Sequence, residues 1–142
     1  MHELMARQTL NQAMLLIDTE WGGIYQYSDQ RDWRSPHYEK IMLTQTSAMR
    51  VYALAHQLWG SENEDYLGAA KLIWRYLEER MGAPDGGFYT SQDADVDANM
   101  DGKTFYAMAA EHRDKLGRQP RIDQNRYARE NGWVIAALAS MY

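Results

Sequence analysis

Apolar residues recur at three- and four-residue spacing along most of the chain, and the places where that rhythm breaks mark its loops. Glu3 to Asp18 sets Leu10, Ala13, Met14 and Ile17 on one face without Gly or Pro. It predicts a first helix, ended by Gly22 and Gly23. Ile24 to Ser35 is irregular. Pro36 suits the first turn of a second helix, with Ser35 as its N-cap, and that helix is expected to run from Pro36 to Trp59 and stop at Gly60. Tyr38, Ile41, Met42, Met49 and Tyr52 make one apolar stripe on it. Leu43, Val51, Leu54 and Leu58 make another, as on a helix sandwiched between layers. Ser61 to Glu64 has the S-x-x-E form of a capping box. It opens a third helix to about Arg80, with Leu67, Ala70, Ile73, Trp74 and Leu77 on the buried face. A second glycine-aromatic loop follows, from Met81 to Asp95, and Asp101-Gly102 marks a further turn. Thr104 to Leu116 predicts a short helix stopped by Gly117. Pro120 predicts extended backbone, and Asp123 a cap for a last helix, Gln124 to Tyr142, whose apolar positions include Val134, Ile135, Leu138 and Met141.

The loops repeat. Gly22-Gly23-Ile24-Tyr25 and Gly86-Gly87-Phe88-Tyr89 share the pattern GG-apolar-Tyr with two helices between them, as in a toroid of α-hairpins. The fold class expected is all-α: residues 1–142 as a single domain, an α-hairpin array of about five helices. The chain ends inside an apolar helix, and hairpin arrays need capped ends. The expectation is therefore a piece of a longer chain or an open array that a second copy completes.

Composition narrows the function. The net charge of −5, with no Lys/Arg run, argues against a nucleic-acid partner. The absence of cysteine excludes disulfides, thiolate metal sites and Cys nucleophiles. No apolar run is long enough to span a membrane, and MHELMARQTL lacks a signal pattern, so the expected location is cytoplasmic. Ten Tyr and five Trp stand against two Phe, a skew toward rings with a polar tip, which suit the wall of a wet ligand site.

The candidate site gathers around Trp21 to Lys40. His37 and Glu39 fall in the first turn of the expected second helix, whose dipole favours a neutral imidazole and an ionised carboxylate, a pairing suited to proton transfer. Asp93 and Asp95 alternate along an extended segment, so both can face one way, and two close carboxylates can supply an acid and a base. Together with Glu39 they resemble the carboxylate sets that act on sugars. Tyr25, Tyr27 and Trp33 are candidate sugar-holding rings, with Gln92, Tyr106 and Asn131 as further binding residues. Trp21, Phe88 and Phe105 are expected in the core. Gly132, beside Asn131, suggests close packing or a helix start. The more ordinary reading of each motif is capping, turn anchoring or core packing. Asp97 to Gly102 has the D-x-N-x-D-G opening of a calcium loop, but the twelfth position is Met108, which offers no oxygen. No metal and no cofactor are called for, and no nucleotide-binding, hydrolase-elbow or zincin motif occurs.

WGGIYQYS, DW-x-x-PHYEKIM, GGFYTSQDAD and YARENGWVIAALA resemble the YyaL-like family, the spermatogenesis-associated, thioredoxin-domain group. The resemblance covers about Asp18 to Tyr142. It implies a thioredoxin-like domain followed by an (α/α)6 toroid, similar to N-acylglucosamine 2-epimerases and six-hairpin glycosidases. This chain matches only part of that toroid. Two departures stand out. Leu43-Thr44-Gln45 replaces the Tyr-Asp-Asn of many relatives, and VDANMDGKTFY replaces the usual turn after QDAD. The resulting expectation is a six-hairpin-glycosidase-like domain that binds or modifies a small sugar-like ligand. If catalytic, it would be an epimerase-like isomerase or a glycosidase-like hydrolase. The alternative is a non-catalytic ligand-binding or structural module, completed by the missing thioredoxin-like domain or by a homo-oligomer.

Overall fold

A computed structural model describes residues 1–60 and 65–142. The chain is mostly helical, as expected, with a few two-residue strands pinning its loops together. Helix α1 (His2–Ala13) tightens into a 3-10 turn at Met14–Leu16 and ends there, because Ile17 is extended and bridges to Ile24. Gly22 and Gly23 therefore turn a short hairpin rather than cap the helix.

The second helix starts later than its local signals suggest. Strand β1 (Tyr27–Ser28) pairs antiparallel with β2 (Pro36–His37). Strand β3 (Lys40–Ile41) pairs with β4 (Ser91–Gln92), which also pairs with β5 (Ile122–Asp123). Helix α2 then runs Met42–Trp59. Ser35 does not cap it: its hydroxyl and N–H both go to Asp32, which closes the β1–β2 turn. Strand pairing and burial of Lys40 outweigh the Ser-Pro helix signal, so His37 and Glu39 lie on extended chain and the dipole argument for them falls.

Helix α2 is the centre of the array, packed on α3 (Tyr66–Tyr76) and α6 (Ala128–Ala139). Met42, Met49, Tyr52 and Ala55 are buried. The other stripe is not sandwiched among the described residues: Val51 is 46% exposed and Leu58 64%, with Leu43 and Leu54 between. The capping box at Ser61 to Glu64 lies outside the described residues. Asp65 caps α3, accepting from the Gly68 N–H at 2.7 Å. The helix continues as a wider π turn, Leu77–Met81. On α3 the buried face is Tyr66, Ala69, Ala70, Ile73 and Tyr76, with Leu67 and Trp74 only half-buried.

The helix expected over Thr104 to Leu116 is broken into α4 (Gly102–Tyr106) and α5 (Ala110–Lys115). The break has a cause: Arg113 draws in the carbonyls of Tyr106 and Met108, at 2.6 and 2.9 Å. Asp123 sits in β5 and accepts from the Asn125 N–H, so it does not cap α6, which begins at Ala128. Gly132 is inside α6 with open space around it, neither a close contact nor a helix start.

The repeat is real in backbone geometry. Tyr25 donates to the Leu16 carbonyl and Tyr89 to Met81; Asp18 donates to Gly23 and Ala83 to Gly87. All four glycines have positive φ. Each turn is then gripped by one side-chain amide from the helix that follows it. Gln45 on α2 accepts from the Ile24 N–H at 2.8 Å and donates to its carbonyl at 2.6 Å. Asn131 on α6 accepts from the Phe88 N–H at 2.8 Å and donates to its carbonyl at 3.1 Å. Thus α1–α2 and α3–α6 are equivalent helix–loop–helix units, and α4–α5 is an insertion in the second.

Candidate functional site

The strands β3 and β4 join the two loops and bring residues 34–38 opposite residues 94–103. Between them lies a cleft of about 430 Å³, with Arg34, His37 and Tyr38 on one wall and Asp95, Asp101 and Lys103 on the other. Gly102 sets its width. A Cβ there would come within 2.6 Å of the Ala94 carbonyl and 2.8 Å of Tyr38 Cβ, so only glycine permits this approach.

His37 stands at the rim. Its ring stacks on Tyr27, with centroids 4.8 Å apart and planes within 8°, and its Nε2 is 3.6 Å from Glu39 Oε2. Tyr27 is 48% exposed, so the stacked pair offers a flat, wet aromatic face. Trp33, in the tight turn ahead of them, has φ 58, a strained value for a tryptophan, and packs partly onto the main core cluster. Asp32 holds that turn, and its hydrogen bond from the Arg34 N–H keeps its carboxyl below the ordinary range. Tyr38 forms the floor, stacked on Tyr106 at 5.4 Å. Burial first, and then the Asp101 charge, raise its pKa, so its hydroxyl keeps its proton.

Of the four acid/base candidates, His37 and Asp95 line the cleft. Glu39 reaches it only through His37, and Asp93 is outside it, paired with Arg121 at 3.0 Å. Asp95 also accepts from the Gly102 N–H at 2.7 Å. Among the binding candidates, Tyr25, Gln92 and Tyr106 are buried beneath the cleft instead of lining it. Gln92 accepts from the Tyr76 hydroxyl at 3.1 Å and donates to the Pro120 carbonyl. Asn131 is spent on its Phe88 grip. Trp21 and Phe105 are in the core, as expected, whereas Phe88 is half-buried against Trp74. In the D-x-N-x-D-G stretch the carboxylates build turns: Asp97 accepts from the Asn99 N–H and pairs with Arg118, and Asp101 caps α4 at Thr104.

Below the tyrosine floor lies a group the sequence does not announce. The Lys40 ammonium is fully buried, 2.9 Å from Asp18 and 2.8 Å from the Gly22 carbonyl, and it faces the rings of Tyr25, Tyr76 and Tyr106 at 4.5 to 5.2 Å. Arg113 reaches the same Asp18 oxygen at 2.7 Å. Burial pulls the Lys40 pKa down to about 8, against the opposing pull of Asp18. For Asp18, burial works to raise the pKa, but the two cations outweigh it and hold the carboxyl below its ordinary value. The network ties the first GG turn, β3 and α5 together under the cleft.

No family model matches the chain. Over 73 residues, 51% of the chain, it is 38% identical to spermatogenesis-associated protein 20 of Mus musculus and of Homo sapiens, and 30% identical to an uncharacterized protein of Caenorhabditis elegans. The matched stretch spans 9% of the length of the mammalian proteins. Among solved structures it is similar to a family 76 glycoside hydrolase from a bovine Bacteroides thetaiotaomicron strain, with TM-score 0.58 and 18% identity, covering 88% of this chain and 22% of that one. At that identity the likeness is one of fold. The chain is thus homologous to spermatogenesis-associated protein 20 and has the architecture of part of a glycoside-hydrolase helical toroid, as the resemblance and the hairpin repeat both imply.

Proposed function

We propose that the loop end of this helical array is a carbohydrate-handling site, with the cleft between residues 34–38 and 94–103 holding a small sugar-like ligand. The observation that carries this reading is that His37 and Asp95 line one cleft, with the exposed Tyr27 ring stacked on the imidazole at its rim. Flat rings cover the C–H face of a sugar, and the mixed charges of Arg34, Asp95, Asp101 and Lys103 suit hydroxyls, which both donate and accept. The glycosidase-like fold supports the same reading. In a catalytic version His37 carries the proton, Glu39 orients the imidazole, and Asp95 is the carboxylate across the cleft. This is acid/base chemistry of the epimerase or hydrolase kind. Turnover of any saccharide found to bind, measured in His37→Ala and Asp95→Asn, tests it: a drop of about 100-fold or more in either is expected, and unchanged turnover overturns catalysis.

A second reading is a binding or structural module without catalysis. It is favoured by Asp93 and Asp95 being engaged by Arg121 and by the Gly102 N–H, and by the exposed apolar row of α2 together with Ile135 on α6, which suits further hairpins of a ring, a second copy or an additional domain. This reading expects saccharide binding that depends on Tyr27, with no product formed.

A further inference from the structure

Away from the cleft, a second cavity of about 270 Å³ lies between the end of the third helix and residues 113–119. Trp21 forms part of its wall and is 2% exposed. The Arg80 guanidinium carbon sits 4.1 Å from the Trp21 ring centroid, and that of Arg113 sits at 5.3 Å. Two of the residues that line it carry a buried donor with no acceptor among the described residues: the Trp21 indole Nε1–H and the Arg80 Nε–H. Nearly all buried N–H groups in folded proteins find an acceptor, so two at one small cavity call for an acceptor group there.

The surroundings say what kind. Asp114 holds Arg80 by Nη1 at 2.9 Å, which fixes the guanidinium plane and leaves its Nε side uncommitted. Arg113 gives one N–H from each of its three nitrogens to Met108, Asp18 and Tyr106, which fixes it in place beside the cavity as a positive charge. Arg118, half-exposed, is held by Asp97 at 2.8 Å, and the amide of Gln119 lines the cavity beside it. Three guanidinium groups, Arg80, Arg113 and Arg118, line the cavity against one carboxylate, Asp114; the carboxylates that pair with the other two, Asp18 and Asp97, are not part of its lining. Arg113 and Arg80 add to the burial that lowers the Lys40 pKa.

We propose that this cavity is a binding site for a small oxyanion, a carboxylate or phosphate group that accepts from Trp21 Nε1 and Arg80 Nε. A monoanion accepts from both donors and gains from the three lining guanidinium groups, which a neutral hydroxyl does not. The site is built by the first GG turn, the end of the third helix and the inserted α5, so the occupant would link both halves of the repeat.

The five indole N–H signals of the ¹⁵N-labelled chain give the readout. The Trp21 signal is identified by its loss in Trp21→Phe or, if that variant does not fold, by through-space contacts in the unaltered chain. Inorganic phosphate, sodium acetate and glycerol are titrated separately at matched ionic strength. The expected result is a saturable shift of the Trp21 indole signal with phosphate or acetate but not with glycerol. Whichever anion binds more tightly tells a phosphate site from a carboxylate site. Arg80→Lys, which keeps the charge and removes the Nε–H, should bind about tenfold more weakly. An absent or non-saturating shift, an equal response to glycerol, or an unchanged affinity in Arg80→Lys overturns the proposal.

Discussion

Asp18 balances two cations, Lys40 and Arg113, where water does not reach. Removing the carboxylate strands both, whereas removing Lys40 leaves an intact Asp18–Arg113 pair. Asp18→Asn is therefore expected to cost about 3–5 kcal/mol, and Lys40→Met distinctly less, in urea unfolding. Equal losses would mean the two cations are not sharing one counter-charge. The depressed Lys40 pKa also sets a pH dependence. Above pH about 8 the native chain has shed this proton, while the unfolded chain keeps it up to the ordinary 10.5, so stability rises across that window. The buried Tyr25, Tyr76 and Tyr106 oppose it higher up. Burial raises their native pKa values above the ordinary 10.0, so the unfolded chain ionises first and stability falls beyond that point. Unfolding midpoints should climb between pH 8 and 10 and then drop, and Lys40→Met should lack the climb; a variant that keeps it would assign the effect elsewhere. None of this was legible in the sequence. Asp18 follows an apolar run, Arg113 lies in the charged stretch EHRDK, and Lys40 sits between Glu39 and Ile41, all ordinary surface contexts. Burial of a charge is decided by which chain segments meet, and local pattern does not carry that.

At the level of elements, the two GG turns are the unit of construction, and each depends on one amide. Gln45→Ala and Asn131→Ala leave a buried or half-buried backbone N–H and carbonyl unmet, so each should cost about 1–3 kcal/mol, read by thermal unfolding. Gly22 and Gly132 make a contrasting pair. A Cβ at Gly22 would lie 2.1 Å from the Leu72 carbonyl oxygen at φ 82, so Gly22→Ala should be severely destabilising. Gly132 has open space around it inside a helix, so Gly132→Ala should stabilise by about 1 kcal/mol. Loss of stability in Gly132→Ala would show that α6 is not regular there. The helices and the repeat were readable because hydrophobic period and paired glycines are local signals. The start of α2 was not, because Ser35-Pro36 also reads as a helix start, and only pairing of β1 with β2 and of β3 with β4 decides against it. The cleft was half readable: His37 and Asp95 both line it, while Tyr25, Gln92 and Tyr106 were pulled beneath it by the aromatic packing around Lys40.

For the whole molecule, the exposed row Leu43, Val51, Leu54 and Leu58 on α2, with Ile135 on α6, is a face that suits further helices. Replacing Leu54 and Leu58 by Lys should change stability by no more than about 0.5 kcal/mol each and reduce self-association in sedimentation velocity. A large loss of stability would mean the row is already packed. None of these residues lines the cleft between residues 34–38 and 94–103. Amide chemical shifts of the labelled chain during titration with a panel of neutral mono- and disaccharides test that site most directly. A carbohydrate site at the loop end predicts saturable shifts centred on His37, Tyr38, Asp95 and Lys103, abolished in Tyr27→Ala. Shifts confined to other surfaces, or none with any saccharide, would contradict it.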